Sequence, residues 1–352
     1  MRAAVLHGMI GHLRRALADA GDDAPPGVVE AVDSAYRVNA RRALRQTALL
    51  LKLVADLRAQ GIGAMPFKGP AWAEWLYGDV AMRSWNDLDV LVRRRDALVV
   101  RDAVLARGFA DYNELFEPRT LVEADRGEGQ LHFLDDRRKV ILDVHWQVGV
   151  GQGADALDGD VLLDRAAPRS LLGQPVTGPS DADMLLILCV HGARHRWDTV
   201  EQLLGLAAFV RRVEPVAWPG LVAAAGAAGC RRRVTVAVAH VCRVFGLHEP
   251  AEVRRALDAD PVGRWLLAGL RPEDLDLRPD GTLRHRRSSI LWETATEDTT
   301  AACVRHAAAR VLRPGPEDWE SVTLPEGAAW LYYLVRPARL AGKWALILAR
   351  RL

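Results

Sequence analysis

RSWNDLDVLVRRRD, residues 83–96, is the stretch on which the reading of this chain turns. Two carboxylates, Asp87 and Asp89, stand one residue apart at the mouth of an apolar run, Val90-Leu91-Val92, and a basic cluster follows. The run predicts a buried strand over 87–93. Side chains alternate across a strand, so Asp87 and Asp89 share a face. Two charges at the entrance to a buried element cost free energy unless something compensates them.

The neighbouring segments supply that compensation. Upstream, Ile62 to Phe67 is a short apolar segment that predicts a strand. Lys68-Gly69-Pro70 follows as a tight turn, and 70–77 predicts a helix with Pro70 at its first position and Gly78 at its end. Downstream, 95–107 predicts a helix that stops at Gly108. Strands are expected at 130–134 and 140–146, joined by a hairpin turn through Asp135-Asp136-Arg137-Arg138. Ile141, Asp143 and His145 then share one face of the last strand. If the strands are neighbours, Asp87, Asp89 and Asp143 converge, which is the oxygen-rich arrangement a hard divalent cation needs. Lys68 would add a cation for phosphate, Gly69 close backbone approach, and the helix start a favourable dipole.

Helices are expected at 1–22 and 27–60, separated by Asp22, Asp23 and Pro25-Pro26. Residues 155–178 read as mixed and loop-rich. From Ser180 the pattern is helical, with candidates at 201–213, 219–228, 231–245, 250–258 and 261–270 and a charged surface loop at 271–290. The expected class is α+β: an N-terminal helical segment (1–60), a small mixed-sheet core (61–178) and a larger helical domain (179–352).

The chain has 352 residues and a formal net charge of +2, with half its residues hydrophobic and 26% charged. That balance gives no general signal for a polyanionic partner, so nucleic acid is not an expected ligand. The four cysteines, Cys189, Cys230, Cys242 and Cys303, form no CxxC pair. No secretory leader is visible, and no apolar run approaches the ~18 residues of a membrane span. A cytoplasmic protein is expected; the oligomeric state is not legible.

The ordered set of strand, turn, helix, DxD strand and later carboxylate resembles the polymerase-β-like nucleotidyltransferase superfamily. It is most similar to a bacterial family described as uncharacterised nucleotidyltransferases. The resemblance is carried by FKGPAWAEWLYGDVAMRSWNDLDVLV (67–92), LDVHW (142–146), HGARHRW (191–197) and LYYLVRPARL (331–340). It implies that Asp87, Asp89 and Asp143 are catalytic and bind Mg²⁺ or Mn²⁺. It implies an NTP co-substrate, with ATP the expected one, held by Lys68, Gly69 and Arg83. Lys68-Gly69 stands where the superfamily usually has Gly-Ser or Gly-Gly. For Arg83, a phosphate contact or an orienting contact to Asp89 competes with a salt bridge to Asp79 or Asp87.

His191 and His195 lie four apart and share a helical face. Gly192 stands where an HExxH zinc motif needs Glu, so an acceptor-pocket or interface role is expected for His145, His191, His195 and Trp197 rather than zinc. Gly149-Val150-Gly151-Gln152-Gly153-Ala154 fits a GxGxxA fingerprint but lacks the βαβ frame a dinucleotide site requires. The basic C-terminal stretch with interleaved aromatics reads as an amphipathic helix, its aromatics packed and its arginines solvated. The expected function is transfer of a nucleoside monophosphate to a small-molecule, peptide or protein acceptor with release of pyrophosphate. A role in specialised-metabolite or polysaccharide biosynthesis fits the resemblance. The alternatives are a non-catalytic nucleotide- or partner-binding module and an RNA-modifying nucleotidyltransferase.

Overall fold

The computed structural model describes residues 2–112, 129–149, 157–276, 290–312, 314, 316–324 and 328–349. The expected N-terminal helix is two, α1 (Arg2–Leu6) and α2 (Ile10–Ala20), because Gly8 turns the chain at φ +69°. The Gly8 carbonyl accepts from the Ser84 amide at 3.3 Å, so this turn rests on the loop that carries Arg83. Helix α3 (Pro26–Ala59) is 34 residues long and opens on Pro26, whose fixed φ suits the first helical position. Its buried stripe includes Val32, Ala43, Leu50, Leu53, Val54 and Leu57. Asn39 interrupts that stripe. Its amide donates to the carbonyls of Ala81 (3.0 Å) and Arg83 (3.3 Å), and fixes the loop to the helix.

Next come β1 (Ala64–Pro66), α4 (Pro70–Tyr77), β2 (Asp87–Val92), α5 (Ala97–Leu105), β3 (Ala110–Asp111), β4 (Gln130–Asp135) and β5 (Val140–His145). The sheet order is β1-β2-β5-β4-β3. Among the described residues, β2 and β5 pair in parallel and the other neighbours antiparallel. A short helix, α6 (Gly159–Asp164), and a separate hairpin of β6 (Ala167–Leu171) and β7 (Gln174–Gly178) follow. That hairpin and β3 were not expected from the sequence. Its turn, Leu172-Gly173, takes two positive φ values, as a tight two-residue hairpin requires.

The sheet has an apolar layer on each side. Leu88, Val90, Val92, Leu131, Phe133, Leu142 and Val144 pack with α3 and α5 residues such as Leu50, Leu53 and Val100. Leu91, on the face of Asp87 and Asp89, packs instead with Phe67, Trp72 and α7 (Asp181–His195). Ser180 caps α7, its hydroxyl accepting from the Asp183 amide. Met184 to Val190 are all buried, so α7 is a central helix with apolar contacts all round. Against it stand α8 (Val200–Val210), α9 (Trp218–Ala227) and α10 (Arg231–Phe245), and α11 (Ala251–Asp258) and α12 (Pro261–Ala268) pack on α10, all close to the expected bounds.

The chain continues with α13 (Ile290–Ala295), α14 (Thr300–Leu312), α15 (Pro316–Ser321) and α16 (Tyr332–Ala349). A buried ionic cluster ties α13 and α14 to α10: Glu297 accepts from Arg233 at 2.5 Å and lies 2.9 Å from His306. The expectation for α16 is reversed in part. Arg336 and Arg339 are not solvated but both reach the fully buried Asp318, at 2.7 and 2.6 Å, while Trp330 and Leu334 are exposed. Burying Asp318 demands those partners. Residues 150–154 of the glycine-rich run, and most of the loop expected at 271–290, lie outside the described residues. Among the described residues, no helix is long and apolar enough to cross a membrane.

Candidate active site

Parallel pairing of β2 and β5 sets Asp89 directly beside Asp143, and Asp87 beside Ile141. One β4 residue, His132, stands opposite Asp143, and Leu91 stands beside His145. Alternation then aims Asp89, Asp143 and His145 to the same side of the sheet. All three are buried, and each offers a ligand atom within 4.8 Å of the other two. Asp87 is less buried and lies outside that group.

Each carboxylate has partners. Asp89 Oδ1 accepts from Lys68 Nζ and faces His145 Nε2, both at 2.9 Å. Burial alone would raise the Asp89 carboxyl; the Lys68 ammonium and His145 overcome it and hold the group ionised far below the usual range. Asp87 moves the other way, to about 6, through burial first and then the charges of Asp89 and Asp143. His145 is pushed down by burial and by Lys68. Asp143 Oδ1 lies 2.9 Å from His132 Nδ1, and Gln130 Nε2 lies 3.1 Å from the other ring nitrogen. An amide NH₂ only donates, so this contact makes His132 Nε2 the acceptor and Nδ1–H the donor to Asp143.

The turn after β1 completes the cluster. Gly69 adopts φ +53°, ψ −122°, and a Cβ there would sit 3.2 Å from the Asp87 carbonyl oxygen. Only glycine lets the turn lie this close to β2. Pro70 then starts α4, and Lys68 reaches back over the Phe67 ring (4.9 Å) to Asp89.

Arg83 shares Trp72 with His191 and pairs with a carboxylate that the sequence did not suggest. It lies against Glu201 of α8, Nε to Oε1 2.8 Å, and over the Trp72 ring at 5.4 Å. Of the two alternative partners expected from the sequence, Asp79 accepts from Tyr36 and Asp87 lies at the mouth of β2. Among the acceptor-pocket candidates, His191 meets Trp72 edge-on at 5.7 Å and His195 at 5.0 Å. Burial, then the Lys68 cation, hold His191 neutral, so this ring borders the cluster. Trp197 is apart from it. The residue is 2% exposed and packs between His240 and Trp292 within the helical core. Arg196 and Trp197 both have positive φ, a strained turn at the end of α7. The sequence reading passed over Gln130 and Glu201. Gln130 was reachable through its i, i+2 relation to His132; nothing local marks Glu201.

The model of the family described as uncharacterised nucleotidyltransferase matches residues 1–246, well over half the chain. The protein belongs to this nucleotidyltransferase family. No curated protein matches it. Among solved structures, the nucleotidyltransferase is similar to the antibiotic-resistance factor ANT(2″)-Ia, whose structure was determined in solution. Identity is 11%, coverage 53% of this chain and 93% of that one, and the TM-score 0.39. The match to the family model ends at Gly246, directly after α10, so helices α11 to α16 of this nucleotidyltransferase lie beyond it.

Proposed function

We propose that the chain transfers a nucleoside monophosphate from an NTP, with ATP the expected donor, to a small-molecule, peptide or protein acceptor, releasing pyrophosphate. The observation that carries this reading is the register pairing of Asp89 with Asp143, with the Lys68 ammonium 2.9 Å from Asp89. Two buried carboxylates side by side with an imidazole make a donor set that fits a divalent cation. The ammonium already drawn there is a stand-in of the right sign. Asp89, Asp143 and Asp87 are the carboxylates that would serve Mg²⁺ or Mn²⁺. Bound there, the cation would offset triphosphate charge and lower the barrier to displacement at the α-phosphorus.

The chain's own residues account for the rest. Lys68 is the group free to exchange Asp89 for a phosphate oxygen, since its partner would then be met by the cation. Gly69 lets the turn approach closely, and the positive end of the α4 dipole would favour the same phosphates, although Pro70 carries no N–H and the Ala71 amide already donates to the Lys68 carbonyl. Asp143, held by His132, is the carboxylate placed to accept the acceptor's proton. His191 and His195 border the space an acceptor would enter, and Trp72 orients His191 from the core side.

The test is to incubate the protein with each labelled NTP, Mg²⁺ or Mn²⁺, and a panel of acceptors, and to compare Asp87→Ala/Asp89→Ala. Pyrophosphate release that survives the double substitution would sink the carboxylate assignment. Binding of NTP without turnover on any acceptor would favour a nucleotide sensor.

A further inference from the structure

We propose that His145 Nε2 is itself a metal ligand, so that the innermost cation is held by Asp89, Asp143 and His145, and the site prefers a transition-metal dication such as Mn²⁺ over Mg²⁺. This rests on the nucleotidyl-transfer reading above and departs from an all-carboxylate site.

Three observations carry it. First, the group whose ligand atoms lie within 4.8 Å of one another contains His145 and excludes Asp87. Second, His145 Nε2 and Asp89 Oδ1 are 2.9 Å apart. Two neighbouring ligands of an octahedral ion with bonds of about 2.1 Å sit about 3.0 Å apart. The two atoms therefore already stand at the spacing of adjacent ligands. The ion would take the place of the Nε2 proton that now faces Asp89, the ring keeping a proton on Nδ1 in its other tautomer. Third, the ring is not free to turn away. It is 4% exposed and stands perpendicular to Phe67 at 5.0 Å.

Metal choice follows from the donor atoms. Carboxylate and water oxygens suit Mg²⁺, whereas an imidazole nitrogen favours ions later in the first-row series. One nitrogen with two carboxylates shifts the balance to Mn²⁺ and its successors. Lys68 enters as a competitor, because its ammonium shares Asp89 Oδ1 with His145. Removing that ammonium should tighten cation binding in the absence of nucleotide.

The full chain is titrated with Mn²⁺ without nucleotide, followed by electron paramagnetic resonance, with Mg²⁺ as competitor. Spin-echo modulation from a directly bound imidazole nitrogen is recorded on protein carrying ¹⁴N- or ¹⁵N-histidine. The expected result is nitrogen modulation that changes with the isotope. His145→Gln should abolish it and weaken Mn²⁺ binding at least ~10-fold, with a smaller effect on Mg²⁺. Lys68→Met should strengthen Mn²⁺ binding. Bound Mn²⁺ without histidine modulation would overturn the inference and leave the carboxylate site standing. No bound cation in the wild-type protein, with or without a non-hydrolysable NTP, would overturn both. If His145→Gln does not fold, the isotope comparison on the wild-type chain decides alone.

Discussion

Taking away the Arg83 guanidinium should cost far more than the loss of a surface ion pair. The Arg83 and Glu201 side chains are each 11% exposed, and Nε lies 2.8 Å from Oε1. With charge centres about 4 Å apart and an effective dielectric of about 20, the attraction is about 4 kcal/mol. Desolvation of both ions cancels much of it in the intact protein. Arg83→Met removes the attraction but leaves Glu201 buried, so the expected loss is about 3–5 kcal/mol. Glu201→Leu should cost a similar amount by stranding the cation. The double variant should recover most of the loss, because neither charge is then buried.

Urea unfolding of the four proteins, followed by tryptophan fluorescence and circular dichroism, measures this cycle. A pH series adds a second signature. Burial raises the Glu201 carboxyl, and Arg83 opposes the shift. In Arg83→Met the folded state should bind a proton there that the unfolded state has released. Unfolding free energy then falls as pH rises above the unfolded value of about 4.3, by up to about 1.4 kcal/mol per pH unit. The deficit of the variant should therefore shrink toward pH 5. A pH-independent loss below about 1 kcal/mol would refute the buried-pair account. Unchanged stability with lost NTP affinity would return Arg83 to the phosphates.

Gly69→Ala forces a side chain into a strongly disfavoured backbone region and against the Asp87 carbonyl; thermal unfolding should show a loss of about 1–3 kcal/mol, and NTP affinity should fall with it. Gly192→Ala would place Cβ 2.1 Å from Trp197 Nε1, inside a packed core, and should destabilise by at least about 1–3 kcal/mol in the same assay. His306 is raised by its contacts with Glu293 and Glu297 against the opposing effect of burial. Its stabilising contribution is full below its unfolded value of about 6.5 and is lost as pH rises through the higher folded value. His306→Ala should flatten that part of the stability profile; an unaltered profile would exclude His306 as its source.

The parts of the fold legible in the sequence are those with a local cause. Proline at a first helical turn, glycine after a last one and a clean apolar run set α4, β2, β5 and α10 within a residue or two. The β6–β7 hairpin was not legible because Pro168 and Pro175 disguise strands that pair only with each other. In the site, alternation put Asp87 with Asp89 and Asp143 with His145, but only the β2–β5 register, which the sequence left as a condition, brings Asp89 beside Asp143. The pairing of Arg83 with Glu201 was not legible because that partner lies on α8, and long-range pairing leaves no trace in either segment. The arginines of α16 were read as solvated for the same reason: Asp318 precedes them on a different helix. Trp197 shares a motif with His191 and His195, yet the strained turn after α7 swings it into the core.

The Lys68–Asp89 contact has a consequence for the order in which the chain assembles. Lys68 is 21 residues from Asp89, whereas His145 is 56 residues away. Closing the shorter loop costs less entropy, so the ammonium can meet Asp89 before β5 docks. The chain thus carries its own counter-ion into sheet formation, at the step where two carboxylates must be brought side by side. Refolding of the wild-type protein should be insensitive to chelators. Refolding of Lys68→Met should become dependent on added cation, with the slow phase being the pairing of β5 with β2.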